Sequence, residues 1–222
     1  MHSLIVTSLT KTFGTKKVLG NVSFGLQTGE ILSIFGRNGS GKSTLLKVLF
    51  GTKNADTLNL SINNIPFEAK DIIPKSKIAY LPQEPFLPKS MKVRDVIPLY
   101  FKGDQQDKIF YAEGIPKISN TGIGKLSMGE LRYLELLLVG HLGHPFLMLD
   151  EPFSMVEPLY KEHIKTFLLQ LKTTKGIIIT DHYYKDVLAV STKSLLLKNG
   201  HLIPIENENQ LAAEGYLPAP KT

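Results

Sequence analysis

Two stretches hold residue types that can do chemistry together. The first, "FGRNGSGKST" (35–44), sets Gly36, Gly41, Lys42 and Ser43 at the spacing G-x-x-x-x-G-K-[ST]. It follows a strand pattern, "EILSIFG" (30–36), and runs into a helix pattern after Lys42. In that context glycines let backbone N–H groups turn inward around phosphate oxygens, and the helix N-terminus adds partial positive charge. Lys42 can reach β- and γ-phosphates, and the Ser43 hydroxyl can ligate Mg²⁺. Arg37, Asn38, Gly39, Ser40 and Thr44 complete the candidate nucleotide-binding loop. A glycine-rich turn that happens to precede a lysine is the plain alternative. Four filled positions between a strand and a helix argue against it.

The second stretch is "FLMLDEPF" (146–153). Four apolar residues in a row suit a strand buried on both faces. It ends in two neighbouring acids, Asp150 and Glu151, which repel each other and lose water if covered. Asp-x-Pro alone would signal a turn. Beside a phosphate loop the pair has a use. A second strand in such proteins supplies an acid for Mg²⁺, the place Asp150 takes. Glu151 can then orient and deprotonate a water that attacks the γ-phosphate. The metal and Lys42 offset the clustered negative charge.

The elements that must position these groups alternate along the chain. "SLIVTSL" (3–9), "VLGNVSFGL" (18–26), "EILSIFG" (30–36), "TLNLSIN" (57–63) and "KIAYLPQ" (77–83) read as strands, with a helix after Lys42. Residues 84–125 are broken by proline and glycine, with short helical patches such as "VRDVIPLYF" (93–101). A longer helix begins at Ser127. Strand 146–150, helix 158–173, strand 176–180 and a strand pair near 194–197 and 201–205 follow. Strands alternating with helices predict an α/β fold with a mostly parallel sheet, and 84–144 as a helical insertion in it.

Composition narrows the class. The chain has 222 residues, 42% hydrophobic and 21% charged, as in an ordinary globular protein. That length suggests one domain, or one with a subdomain. Cysteine is absent, which excludes a disulfide framework and thiolate metal sites. The formal charge of +6 favours anionic partners. The lysines are scattered, with Lys16–Lys17 the only adjacent basic pair, so nucleic acid is not indicated. The first residues, "MHSLIVTSLTKTFG", lack the pattern of a signal peptide. The longest apolar runs fall short of the roughly 18 residues that argue for a membrane span.

"KLSMGELRYLE" (125–135) narrows the reading further. Locally, Ser127 to Glu130 is a capping box at a helix start. The stretch also resembles the L-S-G-G-Q/E signature of the ATP-binding cassette (ABC) family, and other motifs follow that family's order. Phe13 stands where the family has an aromatic that stacks on adenine. Gln83, in "YLPQEP", matches its glutamine between core and helical subdomain. "SMVE" (154–157) matches its D-loop, and His182, in "ITDH", its switch histidine. The resemblance covers essentially the whole chain.

What the resemblance implies is specific. The fold is that of a P-loop NTPase with an N-terminal antiparallel β subdomain. Residues 1–84 and 145–222 form the core with that subdomain, and 85–144 the helical signature subdomain. Lys42, Glu151 and His182 are catalytic. Ser43, Gln83 and Asp150 hold Mg²⁺. Phe13, residues 36–44, Gln83, Ser127 and Gly129 contact ATP. Cassettes of this family work as head-to-tail dimers, with a second copy of the chain or a related cassette as partner, so each ATP lies between one subunit's phosphate loop and the other's signature helix. Two positions depart from the family pattern. Met128 replaces the first signature glycine, putting a thioether where backbone must approach the γ-phosphate. Glu157 replaces the D-loop aspartate, adding one methylene to a contact across the dimer.

The expected function is the ATP-hydrolysing subunit of an ABC transporter. The transmembrane subunits are separate chains, docked near "EPFLPKSM" (84–91). The place is the cytoplasmic face of the membrane. No extra C-terminal regulatory domain is expected. "DEPF" and "ITDH" look like the cassettes of lipopolysaccharide export and branched-chain amino acid import. The alternative is a soluble ABC ATPase acting on nucleic acid or the ribosome. Such members usually carry two cassettes or a long coiled coil, and neither is seen. A GTPase needs [NT]-K-x-D, and "FKGD" (101–104) starts with the wrong residue. The remaining histidines offer little. His141 and His144 precede Pro145 and read as a helix end rather than a metal site.

Overall fold

The computed structural model describes residues 1–217. It begins with an antiparallel pair, β1 (Ser3–Phe13) and β2 (Lys16–Gln27). Strand β3 (Ile31–Phe35) then leads into helix α1 (Lys42–Leu49). A hairpin follows, of β4 (Thr57–Ile62) and β5 (Ile65–Phe67), turned at Asn63 and Asn64. Both asparagines have positive φ, 54° and 61°, as a tight two-residue hairpin requires. These strands make a four-stranded antiparallel sheet in the order β2-β1-β4-β5.

Strand β6 (Ile78–Leu81) precedes four helices: α2 (Val93–Tyr100), α3 (Asp104–Phe110), α4 (Ile115–Ile118) and α5 (Met128–Gly140). The chain continues through β7 (Phe146–Asp150), α6 (Pro158–Lys172), β8 (Gly176–Thr180) and α7 (Tyr184–Val190). It then forms β9 (Lys193–Lys198), β10 (His201–Ile205) and α8 (Glu208–Ala213). The second sheet has six strands in the order β10-β9-β3-β8-β7-β6, parallel except for β10 at its edge.

Every residue of β3, β7 and β8 is buried, which is why they read as continuous apolar runs: helices or strands cover both faces. On one face Leu45, Leu46 and Leu49 of α1 pack with Leu4, Val6 and Leu9 of β1 against Ile34, Met148 and Ile178. On the other, Leu134 and Leu137 of α5 and Ile164 and Leu168 of α6 pack against Leu147, Leu149, Ile177 and Ile179. Helix α6 buries Ile164, Phe167, Leu168 and Leu171, the i, i+3, i+4, i+7 stripe of a helix lying on a sheet. Helix α5 is buried at every position except Met128 and Glu130, so it runs inside the protein rather than on it. Truncating a buried leucine such as Leu134 to alanine would cost about 2–5 kcal/mol.

This topology decides where a site can form. Strands β3, β6, β7 and β8 are mutually parallel, so their C-terminal ends open on one edge of the sheet. Ligands in such sheets bind beyond those ends. Gly36 follows β3, Gln83 follows β6, Asp150 ends β7, and His182 lies just past β8. Among the described residues, no helix is long and apolar enough to cross a membrane.

Candidate functional site

The loop from Gly36 to Gly41 bends tightly back on itself. A Cβ on Gly36 would stand 2.5 Å from Ser40 Oγ and 3.0 Å from the Leu197 carbonyl oxygen, so no side chain fits. Gly41 has φ of 110°, a left-handed conformation that glycine adopts without strain, and it ends the loop where α1 begins. Lys42 is buried, and its Nζ donates to the Gly36 carbonyl at 2.6 Å. Burial pushes the Lys42 ammonium below the ordinary lysine range, while the carboxylates of Glu151, Asp150 and Asp181 pull it back up.

A cleft of about 680 Å³ opens over this loop. Asn38 to Thr44 line it, with Phe13 and Lys16 from the antiparallel sheet and Gln83, Glu151 and His182 from the strand ends. Phe13 is 42% exposed at the rim, leaving part of its side chain open to the cleft. Lys53 and Lys11 ammonium groups lie 4.7 and 5.3 Å from the ring centre.

Asp150 is 1% exposed, yet it is well satisfied. Its Oδ1 accepts from the Thr180 hydroxyl at 2.8 Å and the Ser43 hydroxyl at 3.3 Å, and its Oδ2 from Tyr80 at 3.1 Å. Burial, then the Asp150 charge, pushes the Tyr80 phenol well above its ordinary range and keeps it a donor. Ser43 and Asp150 present hard oxygen donors to one point, which fits Mg²⁺. No cluster of three or more His, Cys, Asp or Glu side chains able to hold a metal exists among the described residues. Phosphate oxygens and waters would therefore have to complete the cation's shell.

Glu151 has φ of 56°, left-handed backbone that costs a non-glycine residue about 1–3 kcal/mol. The turn is held at several points. Its N–H donates to the Thr180 carbonyl at 2.7 Å, and the Arg132 guanidinium donates to the carbonyls of Asp150 and Glu151. The outcome is that the side chain leaves the strand and enters the cleft. There, Gln83 Nε2 donates to Glu151 Oε2 at 3.0 Å, and His182 Nε2 lies 2.8 Å from Oε1. Asp181, fully buried, accepts from the N–H groups of Phe153 at 2.7 Å and Tyr183 at 3.0 Å. It so ties the segment after Glu151 to the segment that carries His182, and burial raises its pKa.

The residues expected from sequence are not all in one place. Phe13, Asn38 to Thr44, Gln83, Glu151 and His182 share the cleft, with Asp150 directly behind Ser43. Gly36 does not line the cleft; it lets the loop close. Arg37 turns away, and its Nη2 donates to the Gly215 carbonyl at 2.6 Å beside a neighbouring cavity. Ser127 and Gly129 do not line the cleft of their own chain either. They start α5, where the capping box is formed: Ser127 Oγ accepts from Glu130 N at 3.2 Å, and Glu130 Oε2 from Ser127 N at 2.8 Å. Glu157 lies against this helix start. A Cβ on Gly129 would be 1.9 Å from Glu157 Oε2, so the longer acid and the glycine fit as a pair.

Sequence reasoning missed Tyr80, Thr180 and Asp181. Thr180 is the cross-strand partner of Asp150, and Tyr80 reaches it from β6, facts that only strand register reveals. It also missed Arg132 and Glu135. Two opposite charges one turn apart, beyond the capping Glu130 in a mostly apolar helix, were a usable signal.

Comparisons with known proteins agree on one group. A family model described as ABC transporter matches residues 19–154. The lipopolysaccharide export system ATP-binding protein LptB of Escherichia coli (strain K12) is 28% identical over 219 residues, covering 91% of this chain and 90% of that protein. An uncharacterized ABC transporter ATP-binding protein of Methanocaldococcus jannaschii is 31% identical over 208 residues, covering 89% of this chain and 75% of that protein. The backbone also superposes, with a TM-score of 0.83 at 24% identity, on a nucleotide-free ATP-binding cassette from an ABC transporter, covering 98% of this chain and 96% of that one.

Proposed function

The chain belongs to the ABC transporter family, and from that premise we propose how its residues divide the work of an ATP-hydrolysing transporter subunit. One observation supports the division most. The Ser43 hydroxyl, the Asp150 carboxylate and the Glu151 carboxylate meet at one edge of the sheet, beside the phosphate loop.

Phe13 stacks on adenine at the rim. The loop N–H groups and Lys42 take the β- and γ-phosphates. Ser43, Asp150 and Gln83 are the residues that would hold Mg²⁺, which when bound neutralises charge on the phosphates. Glu151 orients a water and takes its proton as the water oxygen bonds to the γ-phosphorus. The bond from that phosphorus to the bridging oxygen breaks, and ADP leaves. His182 holds Glu151 from the far side, across 2.8 Å. A positioned general base of this kind contributes about 10²–10⁴-fold in rate.

Ser127 and Gly129 act on the ATP of a second copy. Their absence from their own cleft is what a head-to-tail dimer needs, and the N-terminus of α5 then faces a partner's γ-phosphate. Separate transmembrane subunits dock along 84–91, where Phe86 is 39% exposed. That arrangement sets the chain on the cytoplasmic face of the membrane. The transmembrane subunits, not these residues, choose what crosses.

The test is phosphate release from ATP by the purified chain. Release should need Mg²⁺ and should disappear in Lys42→Ala. Release at the parental rate in Lys42→Ala would end this division of roles.

A further inference from the structure

Arg132 and Glu135 are 4% and 0% exposed, one turn apart on α5, with Arg132 Nη1 at 3.5 Å from Glu135 Oε2. Burying such a pair is expensive, and replacing it with apolar groups is often neutral or stabilising. Stability is therefore a weak reason for it to be there. Its hydrogen bonds suggest another. Arg132 Nη1 donates to the Pro82 carbonyl at 2.6 Å, just before Gln83. Its Nη2 donates to the Asp150 carbonyl and, at 3.4 Å, to that of Glu151. Glu135 Oε1 accepts from Phe86 N at 2.8 Å, just beyond Gln83. One helical turn thus grips the segment carrying Gln83 at both ends and the left-handed peptide carrying Glu151. Gln83 and Glu151 are the side chains that meet over the cleft, Nε2 to Oε2, at 3.0 Å.

We propose that Arg132 is a positioning residue for hydrolysis: paired with Glu135, it fixes the two backbone segments that aim Glu151 at the water and hold Gln83 against Glu151. This rests on the assignment of Glu151 as base. A guanidinium suits the task because its planar fork can serve carbonyls on two strands at once. Lysine offers a point charge and cannot span the same geometry. Arg132 makes no hydrogen bond to the phosphate loop and reaches the cleft lining only through the Glu151 carbonyl, so its loss should act on the chemical step rather than on ATP binding.

Three variants test this by steady-state phosphate release, binding of a fluorescent ATP analogue, and thermal melting. Glu151→Gln comes first; parental hydrolysis there overturns the base assignment itself, separately from this proposal. Arg132→Lys should lower kcat about tenfold to a hundredfold while KM for ATP stays within about threefold, since a misaligned base spares binding. Arg132→Met with Glu135→Leu removes both buried charges together. It should melt close to the parent and bind ATP, yet stay as slow as Arg132→Lys. A merely structural pair would give the opposite: the double variant regains both melting temperature and kcat. Parental kcat in either Arg132 variant overturns the proposal, and if the double variant does not fold, Arg132→Lys decides it.

Discussion

The Ser43 hydroxyl stands 3.3 Å from Asp150 Oδ1, although 107 residues of chain separate them. Ser43 belongs to the first turn of α1, and Asp150 is the last residue of β7. The two meet because α1 packs its leucines onto the face of the sheet that carries Met148. A hydroxyl and a carboxylate brought together this way share one point in front of the phosphate loop. The buried carboxylate is kept in place by Thr180 and Tyr80 from the flanking strands.

Asp150→Asn separates the metal from the nucleotide. The amide oxygen can still accept from Thr180, and the amide NH2 can donate to the Tyr80 hydroxyl, which also accepts, so the fold should hold. A charged ligand is lost, and charge-assisted contacts are worth about 1.5–3 kcal/mol. ATP affinity in Mg²⁺ should therefore fall roughly tenfold to a hundredfold. Affinity in EDTA should not change. Titrations with and without Mg²⁺ check this, and equal losses in both would remove Asp150 from the metal's surroundings.

Gly36→Ala asks whether the loop's close approach is required. The new Cβ meets Ser40 Oγ at 2.5 Å and the Leu197 carbonyl at 3.0 Å. Overpacking of this sort typically costs about 1–3 kcal/mol, so the melting temperature should drop and ATP binding weaken. Adding Ser40→Ala removes the nearest obstacle and leaves the Leu197 carbonyl. Partial recovery of both readouts is expected. Parental ATP affinity in Gly36→Ala alone would mean that the loop gives way freely.

Met128→Gly tests the departure at the signature. Met128 is 42% exposed at the start of α5, beside Gly129. If its thioether crowds a partner's γ-phosphate, glycine should raise ATP-driven dimerisation or the ATPase rate. The helix penalty of glycine, about 1 kcal/mol in an interior, should be small here because the Ser127–Glu130 capping box secures the first turn. Unchanged dimerisation and rate would show that Met128 points away from the partner.

What sequence made legible, and what it did not, follows from the range of each signal. Strands β7 and β8 were bounded to the residue because a strand buried on both faces is an unbroken apolar run between polar punctuation. The start of α5 was legible because a capping box is local. Strand β5 and helices α3, α4, α7 and α8 were not seen: at three to seven residues each, none repeats a period often enough to be read. In the site, Lys42 and Ser43 and the pair Asp150 and Glu151 are consecutive, so motif spacing found them. Tyr80, Thr180 and Arg132 reach Asp150 or its peptide through register and packing, which spacing does not encode. Arg37 shows the converse. Motif position groups it with the phosphate loop but does not give the direction of its long side chain, which bonds to Gly215, 178 residues away.

Glu151→Gln gives the sharpest outcome. Glutamine keeps the shape of the side chain and an oxygen for Gln83 Nε2, but it cannot accept a proton from water. ATP affinity should stay near the parent's, while hydrolysis falls about 10²–10⁴-fold. ATP that binds and is not consumed keeps the proposed sandwich closed. The variant should therefore run as a dimer in Mg-ATP and as a monomer without it. Sizing at high protein concentration guards against a contact that is weak without transmembrane subunits. Met128 and Glu157 bear on the same outcome, since Glu157 Oε2 occupies the space a side chain on Gly129 would take, at the helix start that faces the partner's phosphate in the proposed dimer. If Glu151→Gln stays monomeric while Glu151→Gln with Met128→Gly dimerises, the signature is the weak half of the sandwich. If Glu151→Gln hydrolyses ATP at the parental rate, the proton goes elsewhere, and the left-handed turn at Glu151 needs a different explanation.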